Sequence, residues 1–482
     1  MIQLPPRPRS IVIALVFVLT VLQAPAAWAD TSPIAGHWEG EIAVPGSPLV
    51  IKVDLEQVDG AWAGSIDIPQ QDATGLALVD VVVEATAVRF RIQGVPGDPT
   101  FNGRLDGDTI RGKFGQGGAT FDFELGREAV AGPRRPQNPQ PPFPYTSEDV
   151  SYANGAVQLA ATLTLPSGEG PFPALVLITG SGAQDRNETV FGHQPFWVLA
   201  DHLTRAGIAV LRADDRGVGG STGDVNASTS SDFAEDALAG VRYLSSRPEI
   251  DNQRIGLLGH SEGGLVAPLA AARSEQVALV VLLAAPGVPG TEILAHQTAL
   301  IRAAEGGAAE GAEQQAVLMR QALDWLSVET DPERLRRRLL EIARQQIALA
   351  PAAEQQQADN PELLEKSVEA LLTPWFRFFL TYDPATALRL LRVPVLVVTG
   401  ELDLQVDPEQ NMPAIETALE QGGNADTTTR VLPGLNHLFQ HTETGRPSEY
   451  ATIEETLAPE LLELVTSWLL ERWPLQGESD GS

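Results

Sequence analysis

Residues 254–272 read RIGLLGHSEGGLVAPLAAA: an apolar run, a serine with a glycine two residues away on either side, and a second apolar run. The first run has the length and uniform apolarity of a strand covered on both faces. The second has the composition of a buried helix. Only a tight turn fits between them, so Ser261 sits at a strand-to-helix corner. Gly259 and Gly263 relieve the crowding of such a corner, which points the Ser261 hydroxyl out at the carboxyl end of the strand. There the helix amino terminus favours developing negative charge.

The segments around this corner repeat the alternation. ALVLITG, IAVLRAD, ALVVLLAAPG, VPVLVVTG and TTRVLPG read as further strands, most of them too uniformly apolar to face water on one side. Helical stretches fall between most of them. QPFWVLADHLTRAG ends at the C-cap candidate Gly207, and SDFAEDALAGVRYL opens with Ser231 and Asp232 as cap candidates. A largely parallel sheet with helices on both faces is implied over 147–476. From about 290 to 387 no strand pattern occurs and helix formers dominate. Asp331-Pro332-Glu333 starts one amphipathic helix, RLRRRLLEIARQQIALA. This interval reads as a helical cap outside the sheet, with AAEGGAAEGAEQQA open to reading as a loose surface insert. TPWFRFFLTYDP is too aromatic to leave in water, so Trp375, Phe376 and Phe379 are expected to line a substrate pocket or pin the cap down.

Upstream the pattern differs. LVIKVDLEQV, AWAGSIDI, VRFRIQG and TFDFEL alternate apolar and polar residues and are separated by turn-prone pairs such as Asp59-Gly60. Residues 30–129 are therefore expected to form a small antiparallel β domain, a barrel or a sandwich. AGPRRPQNPQPPFPY follows, and its prolines make 130–146 a linker, implying a catalytic unit that folds by itself from about Tyr145. At the start, Arg7 and Arg9, the apolar IVIALVFVLTVL and Ala27-Trp28-Ala29 have the order of a secretory signal over 1–29. A periplasmic or secreted location follows, with no membrane span in the mature chain. A net charge of −30 argues against a nucleic-acid partner. The chain has no cysteine, which excludes disulfides and lipidation at a cleavage-site cysteine. No His/Cys spacing suggests a metal site, no phosphate loop occurs, and no cofactor is implied.

A serine hydroxyl needs a base, and LPGLNHLF places His437 just past the last strand. The imidazole needs a carboxylate to hold its tautomer, and VPVLVVTGELDLQV places Asp403 just past another. LVLITGSGAQD adds a glycine-containing turn whose Ser181 N–H can pair with the Glu262 N–H as an oxyanion hole. Other candidates are weaker. His260 leaves the corner in the opposite sense to Ser261 and is expected to pack or hydrogen-bond beneath it. His441 competes with His437 for the base role, and Glu401 and Asp407 flank Asp403. Arg216 and one of Asp214 and Asp215 are expected to form a buried pair that braces their loop.

ITGSGAQDRNE, LRADDRGVGGSTGD, RIGLLGHSEGG, TPWFRFFLTYDP, VTGELDLQV and LPGLNHLF together resemble an α/β-hydrolase of the prolyl oligopeptidase and dienelactone hydrolase branch, in particular its exported bacterial esterase-like members. The resemblance runs from about Val150 to Trp473. It implies an α/β-hydrolase fold with a helical cap, and a serine hydrolase acting on small-molecule carboxylic esters. Two departures set the chain apart from true prolyl oligopeptidases: His260 stands where they carry an aromatic residue, and the amino-terminal domain is too short for a propeller. A serine aminopeptidase or dipeptidyl-type peptidase is the alternative, marked by an acidic pocket for a free amine. A ligand-binding protein with secondary or lost hydrolysis is the alternative of another class. Acyl and alcohol specificity and the oligomeric state are not encoded in these motifs.

Overall fold

The alternating segments between Gly36 and Gly126 form eight strands: β1 (Gly36–Ile42), β2 (Leu49–Val58), β3 (Ala61–Ile68), β4 (Ala73–Glu84), β5 (Ala87–Ile92), β6 (Thr100–Asp106), β7 (Thr109–Gln116) and β8 (Ala119–Gly126). Each pairs antiparallel with the next, and β1 closes on β8 through pairs such as Ile42 with Phe123, giving a barrel without edges. Its interior holds Trp38, Phe90, Phe101, Phe114 and Phe123, with Phe101 stacked 4.7 Å from Phe90. The interior is thus a side-chain core and not an open chamber. This computed structural model describes residues 33–474 except 45–48, 59–60, 69–72, 94, 96, 98, 117–118, 128–133, 305–311 and 350–360. The expected signal sequence over 1–29 lies outside the described residues.

The remaining strands are β9 (Thr146–Asn154), β10 (Val157–Leu165), β11 (Phe172–Ile178), β12 (Ala209–Ala213), β13 (Ile250–His260), β14 (Leu279–Leu283), β15 (Val395–Gly400) and β16 (Thr427–Leu432). They form one sheet in the order β16-β15-β14-β13-β11-β12-β10-β9, the α/β-hydrolase arrangement. β9 and β10 run antiparallel to their neighbours and the other six are parallel. Because β11 lies between β12 and β13, the order reverses there. The carboxyl ends of β11 and β13 are therefore adjacent at a switch point, where a crevice opens.

Helices α1 (Pro195–Arg205), α2 (Ser230–Ser245) and α3 (Gly263–Ala271) follow β11, β12 and β13. α2 begins one residue before Ser231 with Thr229 as N-cap, and Asp232 sits at N3, accepting the Thr229 N–H at 2.9 Å and closing a capping box. Between β14 and β15 come α4 (Gly290–Ala304), α5 (Ala312–Val328), α6 (Pro332–Leu349), α7 (Pro361–Leu371) and α8 (Pro374–Thr381), the cap. The cap has its own small core, including Leu323, Leu326, Leu335, Leu339 and Leu380. α9 (Ala385–Leu388), α10 (Pro408–Gly422) and α11 (Pro459–Arg472) complete the chain. Side chains from α2, α3 and α10 share one core beneath the sheet, and those from α1 and α11 share another above it.

The described half of the proline-rich segment is docked onto the catalytic domain. A turn closes from the Asn138 N–H to the Arg135 carbonyl at 3.1 Å, and the segment's polar side chains find partners on the neighbouring surface. The Arg135 guanidinium donates to the carbonyls of Phe191 (2.9 Å), Ala451 (2.9 Å) and Ile453 (2.7 Å). Gln137 pairs with the main chain of Thr456 and Leu457 from both ends of its amide. The segment around Arg135 and Gln137 therefore lies against the catalytic domain. Hydrogen bonds to a charged donor contribute about 1.5–3 kcal/mol, so Arg135→Ala should lower the urea midpoint of the catalytic domain by about that much stability. An unchanged midpoint would show these contacts to be incidental.

Candidate active site

The corner after β13 is built by close approach. A methyl group at Gly259 would lie 2.0 Å from the Gly263 carbonyl oxygen, and one at Gly263 would lie 2.1 Å from the Ile178 carbonyl oxygen of β11. No side chain fits at either position. Ser261 takes φ +52°, a left-handed conformation that costs a residue with a β-carbon about 1–3 kcal/mol, and its N–H is anchored on the Leu283 carbonyl at 2.9 Å. The hydroxyl stands 3.2 Å from His437 Nε2. His437 Nδ1 lies 2.8 Å from Asp403 Oδ2, and Asp403 Oδ1 accepts the N–H groups of Gln405 and Val406, each at 2.8 Å. With Nδ1–H donating to Asp403, the Nε2 lone pair faces the Ser261 hydroxyl. Asn436 braces the loop, its Oδ1 accepting from the N–H groups of Leu438 and Gln440.

The turn after β11 closes the other side. A methyl at Gly180 would be 3.3 Å from Ser261 Cβ, so this turn abuts the corner. The Gly180 N–H is committed to Glu188 Oε1 at 2.6 Å. The Ser181 and Glu262 N–H groups take no partner among the described residues. Both amides are open to a ligand.

The Glu262 side chain turns under the cap. Its Oε1 accepts from Ser230 Oγ at 2.6 Å and from Trp375 Nε1 at 2.7 Å, and burial pushes its pKa up against those two hydrogen bonds. Of the three aromatic residues singled out in the cap, Trp375 reaches the corner. Phe379 stacks under Trp375 (5.9 Å, 11°) against Gly290 and the main core, while Phe376 packs into the core of the cap.

Several other residues are settled by their partners. His441 is on the surface between Glu455 and Glu460, Asp407 caps α10 and pairs with His296 at 2.7 Å, and Glu401 accepts the Gly434 N–H. Arg216 pairs with Asp236 of α2 and not with an adjacent aspartate, because Asp214 turns to Arg186 at 2.7 Å. Among the described residues no group of three or more His, Cys, Asp or Glu side chains is placed to hold a metal ion.

The profile of the X-Pro dipeptidyl-peptidase (S15) family matches residues 154–433, which contain Ser261 and Asp403 but end just before His437. The chain belongs to this S15 family. It is 28% identical over 310 residues to esterase EstD of Thermotoga maritima, spanning 64% of this chain and 64% of the relative's length. A protein of Escherichia coli described as an uncharacterized 31.7 kDa protein is 32% identical over 124 residues, 26% of this chain and 41% of that one. The Pyrococcus furiosus esterase Pf2001 overlays on 68% of this chain and 93% of its own, with 16% identity and a TM-score of 0.41.

In this S15 family member, the acidic side chains behind Ser261, His437 and Asp403 have surroundings that reading for a nucleophile did not assign. Asp215 is one. It accepts from Thr179 Oγ1 at 2.8 Å and the Gln184 N–H at 2.9 Å. Burial, reinforced by the charges of Glu262 and Glu188, pushes its pKa from 3.8 to about 7 despite those hydrogen bonds. A carboxyl raised in the folded state contributes stability that is complete below its ordinary value and is lost as pH climbs to the folded value. The wild-type chain should therefore lose stability between about pH 4 and pH 7 through this group. In Asp215→Asn that loss should be absent, so the melting temperature of the variant relative to wild type should rise across the window. A pH-independent difference would show that Asp215 does not titrate there.

Proposed function

We propose that the protein is an exported serine hydrolase that cleaves carboxylic esters through an acyl-enzyme. The observation that carries this is the unbroken contact series from Asp403 through His437 to the Ser261 hydroxyl, at 2.8 and 3.2 Å. Ser261 Oγ attacks the ester carbonyl as its proton passes to His437 Nε2, and Asp403 stabilises the imidazolium. The amides of Ser181 and Glu262 receive the oxyanion, whose charge is favoured at the amino terminus of α3. His437 then returns the proton to the leaving alcohol. Water attacks the acyl-Ser261 ester with His437 as base, releasing the carboxylic acid and restoring the serine.

The relative named as an esterase supports an ester as substrate. A signal-like amino terminus supports export, and the secreted chain should then start at Asp30 on amino-terminal sequencing. A second reading, a serine peptidase that holds a free amine, is favoured by one cavity. Gly180, Asp215 and Glu262 line it beside the corner, together with Tyr152, whose hydroxyl has no hydrogen-bond partner among the described residues. Turnover of p-nitrophenyl acetate compared with Gly-Pro-p-nitroanilide separates the two, and the ester-hydrolase reading expects the ester to dominate.

Ser261→Ala should lose on the order of a thousandfold or more in kcat for short p-nitrophenyl esters, and His437→Ala a comparable factor, because triad members act as a unit. His441→Ala should stay close to wild type. Retention of more than a few per cent of activity by Ser261→Ala, or a larger loss in His441→Ala than in His437→Ala, would reject the assignment. Trp375→Ala should shift the relative kcat/KM among acyl lengths by about tenfold, the scale of one apolar pocket contact. A uniform loss on all esters with a lower melting temperature would mean that Trp375 only pins the cap.

A further inference from the structure

His260 precedes the proposed nucleophile and points away from it into the protein. Both of its ring nitrogens meet acceptors. Nδ1 is 3.0 Å from Glu188 Oε1, and Nε2 is 3.1 Å from the main-chain oxygen of His437. A carbonyl oxygen only accepts, so Nε2 carries a proton. Glu188 Oε1 also accepts the Gly180 N–H at 2.6 Å. With Glu188 ionised, the ring is an imidazolium held in a buried ion pair.

The cost of this arrangement argues against a purely packing role. Glu188 is 3% exposed, its backbone is left-handed at φ +53°, and its Oε2 is buried without a hydrogen-bond partner. Glu188 lines a small cavity together with Phe196, Leu199, Leu283, Leu438 and Phe439. A strained backbone and an unsatisfied buried carboxylate oxygen both cost stability. An apolar pair of the same size would avoid the second.

What the pair joins is the three loops of the site. Glu188 fixes the turn that presents the Ser181 N–H, His260 is part of the corner that presents Ser261, and the His437 carbonyl belongs to the base itself. We propose that Glu188 and His260 form a positioning unit that sets the oxyanion turn and the base loop against the nucleophile through one shared charge. The proposal rests on the ester-hydrolase reading above. Besides Glu188, the charged and titratable groups facing His260 are Asp403 from the loop after β15 and His437 from the loop after β16, with the Phe439 ring packed at its edge. Burial pulls the His260 pKa down, but the charge and hydrogen bond of Glu188, the His437 carbonyl and the charge of Asp403 together raise it above its ordinary value.

The test uses the full chain. Glu188→Gln keeps an oxygen for the Gly180 N–H and removes the charge. Turnover is measured per active site titrated with a fluorophosphonate, so misfolded protein does not count. The expected result is a kcat lower by about tenfold with KM within about twofold, and a double variant with His260→Ala no worse than the poorer single variant, as coupling through one unit requires. In protein labelled with ¹⁵N-histidine, His260 should hold both ring-nitrogen protons to a higher pH in wild type than in Glu188→Gln and than an ordinary histidine. Wild-type turnover per titrated site in Glu188→Gln, additive losses in the double variant, or a neutral His260 in wild type would each overturn the proposal. Ser261→Ala is assayed alongside. If it stays active the ester-hydrolase reading itself fails, whereas an inactive Ser261→Ala with unaffected Glu188→Gln rejects the positioning unit alone.

Discussion

The site depends on how closely three pieces of main chain approach one another. β13 turns into α3 over Gly259 and Gly263, which lie too near the Gly263 and Ile178 carbonyls for any side chain. That approach holds Ser261 in a left-handed conformation. It also brings the turn at Gly180 against the serine, because β11 is the strand beside β13. A larger residue at Gly259 or Gly263 would push α3 away from the sheet. The serine, the Glu262 amide and the turn at Ser181 would then move apart together.

Around that corner the electrostatics are layered. Asp403 is held by two main-chain N–H groups and in turn holds His437. Behind it lie the carboxyl side chains of Glu188 and Glu262, both buried, and of the partly buried Asp215, with the His260 ring against Glu188. Fixed charges so close to the reacting atoms act through a low dielectric, so their placement affects the reaction more than surface charge does. The acidic surface of the chain has a different consequence, for solubility and for which partners approach.

The sequence made the sheet legible because a strand covered on both faces must be largely apolar, as β11, β13, β14 and β15 are, and β12 and β16 were read from the shorter apolar stretches of IAVLRAD and TTRVLPG. The elbow, the loops after β15 and β16 and the cap interval followed from the same pattern. β9 and β10 were not singled out, since TSEDVSYAN is polar and faces water at the edge of the sheet. Glu188 lay within a quoted motif yet carried no periodicity that could mark it, since its role is defined by a partner 72 residues away. The partner of Arg216 was misjudged for a related reason: adjacency in the chain does not predict which side chain an arginine meets, and Asp236 reaches it from α2. The docking of Arg135 is likewise invisible in composition, which reports stiffness and not where an extended segment lies.

The central claim is that Ser261 is the one hydroxyl made nucleophilic by this arrangement. It is tested most directly by treating the full chain with a small fluorophosphonate and locating the adduct by peptide mass spectrometry. The account predicts a single stoichiometric adduct on Ser261, formed in wild type and almost absent in His437→Ala. An adduct on another residue, or equal labelling without His437, would contradict it.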